Sequence, residues 1–183
     1  MPFTGDREAL LEASQVWRGW GTTTLHDAVA FLPDISETGR HRKRAVVLIT
    51  DGVDNASVLG PAEARAIVRE ARLPVYVLGF TTVDPREIPE EEKVQAEGES
   101  LLFAQLLQRL ARATGGRFLR IEDPQEIEQG AAAVLEELRH QYVLGFPAHR
   151  GPRVYRRIQV EVAGRRKAEI LHRVGYTGGP PAP

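Results

Sequence analysis

Two continuous apolar runs constrain the fold of this chain more than any other feature. Residues 45–50 are largely β-branched and end at Asp51-Gly52, and residues 74–80 form a second apolar run that ends at Phe80. Runs of this length, in which polar residues do not alternate with apolar ones, are typical of strands buried on both faces, as in a parallel sheet. We therefore expect both runs to be buried strands of such a sheet.

Apolar residues at helical spacing precede, separate and follow these runs. Helices are predicted over 6–17 and 25–32, after Pro61, over 102–114 and over 125–138, and a third, alternating strand is predicted over 117–121. The pair Gly115-Gly116 ends the fourth of these helices as a C-cap would. From residue 45 onward the order is β-α-β-α-β-α, which is the signature of a parallel α/β sheet.

The pattern changes after His140. Three β-like runs, 141–146, 154–162 and 168–176, are separated by turns at 147–152 and 163–164, and they predict a small antiparallel three-stranded β extension. We assign residues 1–140 to an α/β domain, 141–176 to the extension, and 177–183, which are rich in Gly and Pro, to a disordered tail. The acidic segment 81–98 lacks apolar periodicity and is expected to be a solvated loop.

Composition excludes several kinds of site. The chain has 183 residues, of which 42% are hydrophobic, so a buried core is expected. The net charge of −1 gives no general attraction to nucleic acid or to a membrane surface, and no apolar run approaches the roughly 20 residues that span a bilayer. The absence of cysteine excludes disulfides and thiolate chemistry. The first residues lack a signal-peptide pattern, and the location of the protein is left open.

Two polar segments are placed where a parallel sheet gathers functional groups. Asp51 directly follows the strand predicted over 45–50, and the hydroxyl-rich turn that contains Thr23 and Thr24 opens a helix before that strand. Taken singly, an Asp-Gly pair is often only a turn, and either threonine is more typical of an N-cap. His26 and Asp27 are adjacent on a helix, point about 100° apart and are expected at the surface rather than as a catalytic pair.

Together these motifs resemble the second half of a von Willebrand factor A domain. The similarity consists of a Gly-x-Thr-x-Leu-x-Asp-Ala turn and helix at 21–28, an apolar strand ending in Thr-Asp-Gly at 50–52, and a Val-rich strand ending in Gly. Residues 3–7, 141–146 and 174–176 are similar to a bacterial branch of that family with a short β tail. The resemblance covers Phe3 to Tyr176.

This resemblance implies a Rossmann-like, doubly wound parallel sheet with a metal-ion-dependent adhesion site at its upper edge. The family binds Mg²⁺ or Mn²⁺ there, and an acidic residue of a protein partner completes the site. The family's threonine ligand corresponds to Thr23, and the aspartate that usually acts through water corresponds to Asp51. Uncharged hydroxyl ligands leave the cation electrophilic toward an incoming carboxylate, in agreement with the preferences of Mg²⁺.

The sequence departs from the family in one respect. No Asp-x-Ser-x-Ser motif precedes Thr23, and the segment 34–38 only imitates it, because it follows Pro33 in a polar stretch rather than ending an apolar strand. Thr23 and Asp51 alone would give a cation two protein contacts, so the site is expected to be incomplete in this chain, and the domain to be partial. Either the chain is a piece of a longer protein, or it self-associates through an exposed edge strand at 45–50.

The sequence is compatible with three functions. The resemblance implies a non-enzymatic protein-binding module that recognises a partner's Asp or Glu through a divalent cation in its complete form. One alternative is an α/β hydrolase or phosphotransferase that uses Asp51, although the sequence has no Gly-x-Ser-x-Gly elbow and no phosphate-binding glycine loop. Another is a structural interaction fragment that binds no metal.

Overall fold

The computed structural model describes most of the chain. The described residues are 3–16, 21–39, 41, 43–52, 54–68, 73–80, 105–123, 125–147, 151–152, 154–164 and 169–178. The helices in these ranges are α1 (Arg7–Val16), α2 (Leu25–Ala30), α3 (Leu32–Glu37), α4 (Pro61–Val68), α5 (105–114) and α6 (Glu126–Arg139). The strands are β1 (Val46–Thr50), β2 (Val75–Phe80), β3 (Phe118–Ile121), β4 (Tyr155–Arg157) and β5 (Gly175–Thr177). The loop predicted over 81–98 and the tail from residue 179 onward lie outside these ranges.

The predicted parallel sheet is confirmed. Its strand order is β1-β2-β3, and both neighbouring pairs are parallel. Val47 pairs with Tyr76 and Ile49 with Leu78, so that equivalent positions of β1 and β2 share a face. The protein is therefore a mixed α/β structure in which helices flank a three-stranded parallel sheet.

Helices cover both faces of the sheet at β2. On one face, Val75 and Val77 belong to a buried cluster with side chains of α2, α4 and α5. On the other face, Leu78 lies beneath α6, where a side chain added at Gly130 would place its Cβ only 3.1 Å from a methyl carbon of Leu78. The absence of a side chain at Gly130 lets α6 approach the sheet closely.

The expectation that residues 45–50 are buried on both faces is wrong for β1. Val46 and Leu48 pack against the core cluster, but the side chains of Val47 and Ile49 are 45% and 57% exposed. The reason lies in strand order: β1 is an edge strand of the described sheet, and α6 lies over β2 and β3. In β2, by contrast, burial on both faces is confirmed.

Among its described residues, the β extension has two strands, not the three that were predicted. β4 and β5 pair antiparallel, and Tyr155 faces Thr177 in their register. Residues 141–147 form no strand, and the side chain of Tyr142 is 85% exposed. An alternating sequence favours a strand only where a neighbouring edge accepts it, so the pattern over 141–146 is not sufficient. That segment instead contacts β5 through the Phe146 ring, whose centroid lies 5.4 Å from that of Tyr176 in an edge-to-face arrangement.

The extension is attached to the α/β domain through the end of α5 and through Arg117. The Val174 N–H donates to the Ala113 carbonyl at 3.3 Å. The Arg117 guanidinium lies 2.7 Å from Glu137 of α6 and 3.2 Å from Glu169 of the extension. Burial alone would lower the pKa of Arg117, but the two carboxylates outweigh that effect and raise it. One cation therefore connects the extension to the domain. Among the described residues, every helix is too short or too polar to cross a membrane.

We expect Tyr76 to titrate at unusually high pH because of this cluster. Burial, together with the charge of Glu137 and its hydrogen bond to the phenol, raises the pKa of Tyr76 from 10.0 to about 12. The folded state therefore favours the neutral phenol, and this contribution to stability is present below pH 10.0 and lost as the pH rises through about 12. Glu137→Gln removes the negative charge, so the pKa of Tyr76 should fall below 12 but stay above 10.0, since burial remains.

Phenolate absorbance across a base titration measures this effect. Glu136→Gln is the matched control, because Glu136 is the preceding residue of the same helix and is paired with the exposed side chains of Arg139 and His140. If the tyrosine that titrates at the highest pH has the same pKa in Glu137→Gln as in the unmodified chain, Glu137 does not contribute to the shift.

Candidate functional site

The two polar segments singled out in the sequence lie side by side. We call residues 21–24 the Thr-turn and residues 51–60 the Asp-Gly loop. The Thr23 N–H donates to the side-chain oxygen of Asn55 at 2.7 Å. The Thr23 carbonyl accepts hydrogen bonds from the backbone N–H groups of Asn55 and Ala56 at 3.1 and 3.2 Å. The Thr-turn is thus held against the loop that follows the carboxyl end of β1.

Asp54 joins the Asp-Gly loop to α2, the helix that follows the Thr-turn. Its carboxylate accepts hydrogen bonds from the His26 N–H at 2.8 Å, the Ser57 N–H at 3.1 Å and the Ser57 hydroxyl at 2.6 Å. The His26 Nδ1 atom lies 3.0 Å from the same carboxylate, and the side chains of His26 and Asp54 are only 15% and 11% exposed. A carboxylate with several donors is strongly favoured in its ionised form.

The pKa of Asp54 reflects this environment. Burial by itself raises the pKa, but the Ser57 hydroxyl, the backbone N–H groups of His26 and Ser57, and the nearby imidazole lower it from 3.8 to about 2. Asp54 is therefore ionised at neutral pH. A carboxylate with such a low pKa is a poor general base, and its evident role is to hold the loop and the helix together.

Asp27 makes a second bridge between α2 and the Asp-Gly loop. Its two carboxylate oxygens accept hydrogen bonds from the Val58 and Leu59 N–H groups, each at 3.0 Å, and its own N–H donates to the Ser57 hydroxyl at 3.2 Å. The expectation that His26 and Asp27 are merely surface residues is therefore wrong. They do not pair with each other, because each faces a different part of the loop. The sequence analysis did not single out Asp54 and Ser57, although their spacing, typical of a side chain that caps its own turn, could have indicated this loop.

The structure places Thr23 and Asp51 on these adjoining segments. Thr23 is exposed and directly precedes Thr24, the N-cap residue of α2. Thr24 makes no side-chain capping bond, and Asp54 accepts the His26 N–H of the first turn instead. Asp51 is half-buried directly after β1, where the Gly52 N–H donates to the Thr50 hydroxyl at 3.0 Å. Gly52 has a φ of 92°, a conformation that suits glycine and turns the loop sharply.

The donor chemistry of Thr23 and Asp51 fits a hard cation. A hydroxyl and a carboxylate are oxygen ligands of the kind that Mg²⁺ and Mn²⁺ prefer, but an octahedral shell of about six oxygens needs more than two side chains. In the described ranges, no three His, Asp or Glu side chains come together as they would around an ion.

A shallow apolar cavity of about 230 Å³ lies beside these segments, between α2, α3 and the Asp-Gly loop. Phe31 and Val58, which line it, are 61% and 91% exposed. The Val58 N–H donates to the Asp27 carboxylate, so this loop position is tied to α2 while the Val58 side chain stays in solvent.

No protein-family model, no curated protein and no solved structure matches this chain.

Proposed function

We propose that this chain is a non-enzymatic protein-binding module of the von Willebrand factor A type. Thr23 and Asp51 are its cation ligands, and a carboxylate of a protein partner binds to the cation. The observation that carries the proposal is the hydrogen-bonded junction between the Thr-turn and the Asp-Gly loop, because it brings together the two segments whose combination resembles that family. The sheet is proposed to be Rossmann-like, with the site at the carboxyl ends of its strands.

The chemistry of the junction supports binding rather than catalysis. The Ser57 hydroxyl donates to Asp54, and not to His26, so these side chains do not have the nucleophile-to-base order of a hydrolase triad. Asp54 is committed to structural hydrogen bonds. The exposed apolar side chains of Phe31 and Val58 next to the junction are of the kind that protein partners cover.

The proposed cation site is incomplete in this chain. Two protein ligands leave most of the coordination shell to water, and a metal bound in that way has low affinity. The cation, when bound, supplies an electrophile for the partner's carboxylate. Asn55 holds the exposed Thr23 against the Asp-Gly loop through the Thr23 N–H, and Asp54 holds the first turn of α2 through the His26 N–H.

We expect Mn²⁺ to bind weakly and locally at this junction. In nuclear magnetic resonance spectra, paramagnetic Mn²⁺ should broaden the amide signals of residues 22–24 and 51–55 first, with a Kd on the order of 1 mM. Thr23→Ala and Asp51→Asn should each weaken this broadening about tenfold, since each removes one of two ligands. Addition of acetate, the simplest carboxylate, should strengthen it, because acetate can occupy an open position on the ion.

Two substitutions of the same kind serve as controls. Thr38→Ala and Asp34→Asn change a threonine and an exposed aspartate of α3 and its C-cap, away from the Thr-turn. Both should leave the Mn²⁺ response unchanged. Broadening that is spread over the acidic surface, or that survives both Thr23→Ala and Asp51→Asn, contradicts the proposal. A micromolar Kd for Mn²⁺ in this chain alone would contradict the proposal that the cation site is incomplete.

A further inference from the structure

β1 has one backbone edge with which no strand of the described residues pairs. It is the first strand in the order β1-β2-β3, so β2 pairs with one side, and no strand in the described part of the chain pairs with the other. The N–H and C=O groups of such an edge are a template for pairing with another chain. Val47 and Ile49 are exposed beside this edge, on the face that α6 covers at β2. Within the described part of the chain, this edge is therefore unpaired, and its exposed side chains are apolar.

The charges at the two ends of β1 have opposite sign. Lys43 and Arg44 precede the strand, and Asp51 follows it. Antiparallel pairing of two identical strands brings the basic end of each next to the acidic end of the other. Parallel pairing in register would instead bring like charges together, which is unfavourable. The charge distribution thus selects antiparallel self-pairing.

We propose that β1 pairs antiparallel with β1 of a second copy of this chain, about a two-fold axis at Leu48. In this register Val47 of each copy lies opposite Ile49 of the other, and both apolar pairs are on the same face of a continuous six-stranded sheet. Both copies use the same surface for this contact, so the assembly is complete as a dimer and does not extend to further copies. Because the contacting strands are only five residues long, the interface is small and the expected Kd is on the order of 10–100 μM.

Cross-linking tests the register directly, because the chain has no cysteine of its own. Oxidation of an equimolar mixture of a Val47→Cys chain and an Ile49→Cys chain should give a disulfide-linked dimer. Directly opposed residues of antiparallel strands have Cα atoms about 4.5–5.5 Å apart, which a disulfide spans. Each variant oxidised alone should give no disulfide-linked dimer, since identical positions are then offset along the paired strands. Cross-linking in each variant alone, or none in the mixture, overturns the proposal.

Sedimentation of the full chain tests the association itself. The unmodified chain should show a reversible equilibrium between its mass of 20.3 kDa and twice that mass. Ile49→Lys should weaken the dimer at least ~10-fold, whereas Leu135→Lys, a change at a similarly exposed residue of α6, should not. Lys43→Glu should also weaken it, because the ends of the paired strands then repel each other. Circular dichroism confirms that each variant is folded. A monomer at all concentrations, or larger aggregates insensitive to Ile49→Lys, overturns the proposal.

Discussion

Gly116→Ala is expected to destabilise the protein by about 3 kcal/mol or more, which is a large part of the stability of a typical domain. A Cβ atom at Gly116 would lie 2.0 Å from the Val75 carbonyl oxygen and 2.5 Å from its carbon. Both atoms belong to the backbone of the central strand β2, so no side-chain rotation relieves the overlap. Either the end of α5 or the strand must move, and Val75 is itself fully buried.

The close contact follows from the way α5 ends. The Gly115 N–H donates to the Arg112 carbonyl at 3.2 Å, and the Gly116 N–H donates to the Ala111 carbonyl at 2.9 Å. With Gly115 at a φ of 86°, this is the Schellman arrangement of a helix C-terminus. The buried hydroxyl of Thr114 also accepts the Val75 N–H at 3.0 Å. The helix end is thus bonded directly to β2, and no space for a methyl group is left between them.

Thermal and urea unfolding of three chains would measure the effect. The unmodified chain is compared with Gly116→Ala and with Gly145→Ala, where an added Cβ meets nothing within 4 Å. A loss of about 3 kcal/mol corresponds to a melting temperature lowered by roughly 6–12 °C in a chain of this size. Gly145→Ala should change the stability by no more than about 0.5 kcal/mol. Equal effects of the two substitutions would show that α5 does not approach β2 as closely as described.

The features that could be predicted from the sequence are those that depend on neighbouring residues. The order of apolar runs and helical spacing gave the parallel α/β sheet, and Gly115-Gly116 gave the end of α5. The general rule that carboxyl ends of parallel strands gather functional groups also brought attention to the Thr-turn and the Asp-Gly loop. These inferences needed no knowledge of distant contacts.

The features that could not be predicted depend on which elements meet. An apolar run does not by itself say whether it is a central or an edge strand, so the pattern over 45–50 predicted burial on both faces, and only the resemblance to the family implied an exposed edge there. In the structure the side chains of Val47 and Ile49 are exposed. The segment 141–146 has a strand pattern, but its pairing depends on a distant edge. In the candidate site, Asp54 reaches the His26 N–H across 28 residues of sequence, and a single sequence carries no sign of that contact.

Asp54→Asn is expected to destabilise the protein by about 2 kcal/mol at neutral pH and to loosen the Thr-turn. The substitution turns one acceptor oxygen into an NH₂ donor, which then faces an N–H or O–H donor of His26 or Ser57. It also removes the charge beside the imidazole. Hydrogen bonds to a charged group contribute about 1.5–3 kcal/mol, and the low exposure of Asp54 limits screening by solvent.

The pH dependence of this loss has a defined direction. The pKa of Asp54 is lowered from 3.8 to about 2 in the folded protein, so its carboxylate stabilises the fold fully above pH 3.8. That contribution is lost as the pH falls through about 2. The stability difference between the unmodified chain and Asp54→Asn should therefore be constant from neutral pH down to about pH 4, and it should shrink below that.

Urea unfolding across this pH range, together with amide hydrogen exchange, separates a local role of Asp54 from a general charge effect. In Asp54→Asn the amides of His26 and Ser57 should exchange faster than in the unmodified chain, because the carboxylate that accepts their N–H groups, and that holds α2 to the Asp-Gly loop, is lost. Asp34→Asn removes an exposed charge of α3 and should change neither the exchange rates nor the stability by more than about 0.5 kcal/mol. If both substitutions have the same small effect at all pH values, Asp54 does not join α2 to the Asp-Gly loop. The junction on which the proposed binding site depends is then not held by this carboxylate.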